Sequence, residues 1–97
     1  MRAFVAEQYL PTDGAETAAR DAGAARSAAE QLARQGVAVE FVNSIFIPQD
    51  ETCIHLYLAD SIEAVRAVAG LAVLSLDRVA EAVSCSGAPD DRGTARA

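Results

Sequence analysis

The stretch VAVEFVNSIFIPQDETCIHLYLA, residues 37–59, decides the fold. Its first half alternates. Val37, Val39, Phe41, Asn43, Ile45 and Ile47 are expected on one face, and Glu40, Val42, Ser44 and Phe46 on the other, because successive strand side chains point to opposite sides. Pro48-Gln49-Asp50-Glu51 interrupts the pattern with proline and acidic polar residues, which reads as a turn. Thr52 to Ala59 then form a second strand. Ile54, Leu56 and Leu58 make its apolar face, and Cys53, His55 and Tyr57 share the other. The two strands should pair as an antiparallel hairpin.

Upstream, Arg2 to Leu10 form a short apolar strand that Pro11 stops, since proline has no N–H for a ladder. Asp13, with Glu16 three residues on, reads as a capping box for a helix over 15–35. Ala18, Ala22, Ala25, Ala29 and Leu32 recur at helical spacing as its buried stripe, and Gly36 ends it. Downstream, Asp60-Ser61 opens a second helix that buries Ile62, Val65, Ala69 and Ala72. Residues 73–76 connect it to a last strand over 77–83. The order β-α-β-β-α-β is that of an α+β ferredoxin-like sandwich, with a four-stranded antiparallel sheet and both helices on one face. We expect the domain to span 1–85 and a disordered tail to span 86–97, where Gly, Pro, Asp and Arg recur without period.

Composition narrows the function. The chain has 97 residues, which suits one domain. It is 52% hydrophobic, but 22 residues are alanine, so the core rests on few large side chains. The open sheet face should therefore be covered by a second copy, making a homodimer. The net charge is −6, with no lysine, which argues against nucleic acid and against an anionic membrane surface. No run approaches the ~20 apolar residues of a membrane span. No signal-peptide pattern opens the sequence, so a cytoplasmic protein is expected.

Chemistry concentrates at Cys53, His55 and Tyr57, expected on the open face. A thiolate and an imidazole are good ligands for nickel, zinc or copper. Further donors would come from Glu7, Tyr9, Glu40, Glu51 or the dimer mate. Read without a metal, Tyr9, Tyr57, Glu40 and Ser44 line an organic-ligand pocket beside His55, which can act as a base near neutral pH. Cys53 and Cys85 do not make a disulfide framework. No glycine-rich phosphate loop, paired-cysteine zinc motif or serine elbow is present, and no organic cofactor is indicated.

The segments Glu7-Gln8-Tyr9-Leu10-Pro11, Ser44 through Cys53, Glu63-Ala64-Val65-Arg66 and Asp77 through Val83 together resemble a small bacterial domain-of-unknown-function family known as nickel-binding proteins. The resemblance runs from about Phe4 to Val83. It implies a ferredoxin-like homodimer and nickel binding, with Cys53 at the matching cysteine. Where the family pattern continues Phe-Cys-Leu-Phe, this chain has Ile54-His55-Leu56-Tyr57, so His55 replaces a second cysteine. Val73-Leu74-Ser75-Leu76 replaces the family's Gly-Leu-Pro-Phe. The first expectation is thus a dimeric metal-binding protein with Cys53, His55, Glu7 and Glu51 at the metal. The second is a dimeric α+β-barrel enzyme, of the isomerase, cyclase or cofactor-free monooxygenase kind, acting on an organic metabolite in the sheet-face cleft. The third is an interaction module without a site.

Overall fold

The computed structural model describes residues 1–83 and 85–87. Its elements are β1 (Arg2–Tyr9), α1 (Ala15–Arg34), β2 (Val39–Ile47), a single 3₁₀ turn (Pro48–Asp50), β3 (Thr52–Ala59), α2 (Ile62–Ala72) and β4 (Arg78–Ala82). All strand pairs are antiparallel, in the order β2-β3-β1-β4. This is the ferredoxin-like βαββαβ fold. Expectations for the tail lie, from residue 88 on, outside the described residues.

The core lies between one sheet face and both helices. Phe4, Phe41 and Tyr57 from the sheet meet Ala25, Ala28 and Ala29 of α1 and Val65 and Val68 of α2. Phe41 and Tyr57 pack edge to face, with centroids 5.5 Å apart. This arrangement reverses the expected sides of β3. Cys53, His55, Tyr57 and Ala59 are buried under the helices, and Ile54, Leu56 and Leu58 lie on the outer face. The physical reason is volume. Alanine-rich helices fill little space, so the inner face takes the aromatic rings. The outer face of the strand, Ile54, Leu56 and Leu58, is apolar too, and hydropathy alone could not tell the two apart.

β2 carries a second correction. Its alternation is broken by a bulge between Phe41 and Asn43. The extra residue, Val42, shifts the phase, so Val39 and Phe41 face the helices before it and Ser44 and Phe46 after it. Ser44 therefore sits opposite His55, and Phe46 opposite Cys53.

The helix ends also differ from expectation. Gly14, not Asp13, is the N-cap of α1, with no side-chain cap bond. The Gly14 N–H donates to the Pro11 carbonyl at 2.8 Å, and a Cβ on Gly14 would lie 2.9 Å from that oxygen. The turn is too tight for a side chain. Ser61 caps α2, its Oγ accepting from the Ala64 N–H at 3.2 Å. α2 ends with Val73 at φ 58°, in the left-handed region. The Leu74 N–H donates to the Ala69 carbonyl at 2.9 Å and the Val73 N–H to the Gly70 carbonyl at 3.3 Å, the paired bonds of a Schellman motif. β4 begins one residue later than expected because Asp77 does other work. Its carboxylate accepts from the Tyr9 N–H at 2.7 Å, and its own N–H donates to the Glu7 carbonyl at 2.8 Å.

Candidate functional site

The inner face of the sheet carries a buried polar chain drawn from four elements. Ser44 (β2), His55 (β3), Gln8 (β1) and Asp21 (α1) are joined in that order. Ser44 Oγ lies 2.6 Å from His55 Nδ1, His55 Nε2 lies 2.8 Å from Gln8 Oε1, and Gln8 Nε2 lies 2.8 Å from Asp21 Oδ2. His55 is fully buried, and Gln8 and Asp21 nearly so. Ser44 is half-buried on an edge strand.

The direction of each bond follows from its far end. An ionised carboxylate can only accept, so Asp21 draws the Gln8 NH₂ toward it. That turns the Gln8 carbonyl oxygen to His55, whose Nε2 must carry the hydrogen. Nδ1 is then a bare acceptor, and the Ser44 hydroxyl donates to it. Burial lowers the His55 pKa, against the smaller upward pull of Asp21. Beside it, Cys53 packs with Leu10, Ala18 and Phe46. Burial pushes its thiol up, and the Asp21 charge adds to that. Arg20 comes no closer than 3.6 Å to Asp21 and is largely exposed, so it neutralises little of that charge.

Of the expected metal residues, Cys53 and His55 share the inner face. Glu7 lies on the outer face, where its carboxylate accepts from Arg78 at 2.9 Å. Glu51 sits in the turn at φ 50°, its carbonyl accepting from the Leu10 N–H. The four do not converge. Among the described residues no three His, Cys, Asp or Glu side chains are gathered as an ion would need. Both imidazole nitrogens are engaged, and burial favours the protonated thiol. Within one chain, Cys53 and His55 are thus two donors with no third gathered beside them among the described residues.

The expected ligand residues divide the same way. Tyr57 and Ser44 are on the inner face, Tyr9 and Glu40 on the outer. Tyr57 is fully buried, its pKa pushed up to about 12 by burial, and its hydroxyl has no hydrogen-bond partner among the described residues. Tyr9 is 59% exposed. Gln8 and Asp21 were not anticipated, although a signal existed. Asp21 stands on the helical stripe between Ala18 and Ala25, and Gln8 follows Phe4 and Ala6 in strand alternation.

The outer face is mostly apolar. Its rows run Glu40-Leu58-Ala3-Ala82, Asn43-Leu56-Val5-Ala80 and Ile45-Ile54-Glu7-Arg78. Ala3, Val5, Val42, Leu56, Leu58 and Ala82, with Val83, line a concavity of about 440 Å³ on it. A larger concavity, about 540 Å³, lies between α1 and the start of β2. Its cation, Arg26, is taken up by the Phe41 ring at 4.9 Å and the Val42 carbonyl at 3.3 Å.

No protein-family model matches the chain, and neither does any curated protein. Among solved structures, the chain is similar to the crystal structure of SCO4226 from Streptomyces coelicolor A3(2), at 18% identity and a TM-score of 0.67. The match covers 87% of this chain and 99% of that one. At that identity the likeness establishes the shared fold. No helix among the described residues is long and apolar enough to cross a membrane.

Proposed function

We propose that the protein is a homodimer that pairs through the outer sheet face and holds a small apolar organic molecule between the two sheets. The observation that carries this reading is the aliphatic concavity lined by Val5, Val42, Leu56 and Leu58, on a face that neither helix covers. Isolated exposed hydrophobics are ordinary, but a contiguous patch on a small domain is not. Ile45, 54% exposed, and the half-buried Ile54 extend the patch along β2 and β3. The Glu7–Arg78 pair in its third row can face the same pair of a second copy, each cation meeting the other's anion across a two-fold axis.

The test has two parts. Light scattering coupled to gel filtration should give a dimer, and Leu56→Glu should give a folded monomer. Native mass spectrometry of the dimer, with added aliphatic and aromatic alcohols as probes, should show one or two bound per dimer. A monomer at all concentrations sinks the pairing. A dimer that takes up no probe leaves the pairing and removes the ligand. Nickel binding, which the family resemblance implies, is the second reading. Titration of tag-free protein with Ni²⁺ tests it, and stoichiometric binding lost in Cys53→Ala/His55→Ala would return it to first place.

A further inference from the structure

We infer that Ser44 is an activated hydroxyl nucleophile and that the edge of β2 is a site for acyl transfer from activated esters, distinct from the outer face and independent of pairing. Three observations carry it. First, the Ser44 hydroxyl donates to a neutral imidazole at 2.6 Å, the contact a general base makes with the group it activates. Second, that imidazole is held in one tautomer by Gln8, which is itself held by Asp21, each link being 2.8 Å. A nucleophile, a base and an orienting group in contact make a catalytic constellation on several unrelated folds. Here the orienting part is an amide backed by a carboxylate. Third, burial falls along the chain in the useful direction. His55 is fully enclosed and Gln8 and Asp21 nearly so, whereas Ser44 is only partly buried, on an edge strand. The reactive end is the least buried of the four.

The step balances without a cofactor. Ser44 Oγ attacks the acyl carbon and a C–O bond forms. The hydroxyl proton passes to His55 Nδ1, and the bond to the leaving oxygen breaks as that oxygen takes the proton from Nδ1. The imidazolium that exists in between is stabilised by the Gln8 carbonyl dipole and, through it, by the Asp21 charge. Gln8 and Asp21 are positioning residues. Arg26, whose guanidinium sits on the Val42 carbonyl two residues before Ser44, places a cation on that stretch of edge. The substrate class is a small ester with a good leaving group.

The chain suits the test because it has no lysine to acylate. Cys85, which is exposed, is replaced by Ser in every sample to remove a competing thiol. Incubation with p-nitrophenyl acetate should release a burst of p-nitrophenolate and add one acetyl group, mapped by peptide mass spectrometry to Ser44. Ser44→Ala should lose the burst and the label. Asp21→Asn should keep the fold, slow acylation at least tenfold at pH 7, and move the midpoint of the pH–rate profile to lower pH, because the imidazole loses a nearby anion. Cys53 and Tyr57, which flank His55 on its strand face, and Asp21 of α1 are the titratable groups beside it, so Cys53→Ser and Tyr57→Phe are profiled too and should leave the midpoint in place. A label on Cys53, Tyr9 or the N-terminus instead of Ser44 overturns the inference. So does a Ser44→Ala burst equal to the parent's.

Discussion

At the scale of single residues, Tyr57 and His55 show how differently two buried polar groups can be treated. The Tyr57 hydroxyl is enclosed among apolar side chains, with no partner among the described residues. A buried donor left unmade costs about 1–3 kcal/mol. Tyr57→Phe should therefore keep the ring packing and raise unfolding free energy by roughly 1 kcal/mol in urea titrations. A loss of that size would mean the hydroxyl has a partner, such as an ordered water. His55 has both nitrogens bonded but pays in charge, since burial opposes its protonation. In the unfolded chain it takes up a proton near the ordinary pKa of about 6.5. The folded state binds that proton only at lower pH. Stability should thus be complete above pH 6.5 and fall as the pH drops below it, by at most about 1.4 kcal/mol per pH unit, until the folded pKa is passed. Unfolding midpoints at pH 7.5 and 5.5, compared between parent and His55→Gln, check this, and the parent should lose more. His55 and Cys53 were legible as a pair sharing a strand face. Their side of the sheet was not, because that depends on how much room the helices leave, which no single strand encodes.

At the scale of elements, Glu51 and Val73, the two non-glycine residues in the left-handed region among those described, hold strain that glycine would relieve. Val73 is β-branched, 87% exposed and at φ 58°, at the helix position where glycine is favoured. Its side chain buries little, so Val73→Gly should stabilise the protein by about 1 kcal/mol, raising the thermal midpoint by several degrees. A lower midpoint would show that the valine is held by a contact worth more than its strain. The six strands and helices were readable from periodicity and punctuation, with ends within a residue or two of those observed, and 48–51 was read as the turn between β2 and β3. The bulge in β2 was not read, although the chain contains the clue. Phe41 and Phe46 both face the helices across an odd interval, which strict alternation forbids. One extra residue between them is the simplest remedy, and Val42 is that residue. The outcome is chemical as well as geometric, since only the shifted phase places Ser44 against His55.

At the scale of the whole molecule, the sheet is apolar on both faces, and helices cover one of them. The open face was foreseeable from the element order, which puts both helices on one side of the sheet. It also explains why the expected site was assigned to the wrong side. With two largely apolar faces, position relative to the helices is decided by the sum of side-chain volumes over three strands. If two copies share the outer face, dilution should lower the thermal midpoint measurably between 100 and 1 μM, because pairing stabilises by mass action. Leu56→Glu should abolish that concentration dependence and leave the fold intact. A midpoint independent of concentration in the parent would argue for a lone chain whose outer face stays wet.

The strand order has a further consequence, for the timing of folding. β1 is the first strand to be synthesised, yet it sits between β3 and β4, with Arg2 opposite Ala59. No partner for it exists until the ribosome has made more than half of the chain. The local hairpin of β2 and β3 can close early, because its loop is short. β1 must then arrive across a long loop, which is the slow event. A nascent chain arrested before β3 is complete would carry β1 with both its edges unsatisfied, and it is there, rather than in the finished fold, that this sequence is most open to mispairing and to chaperone capture.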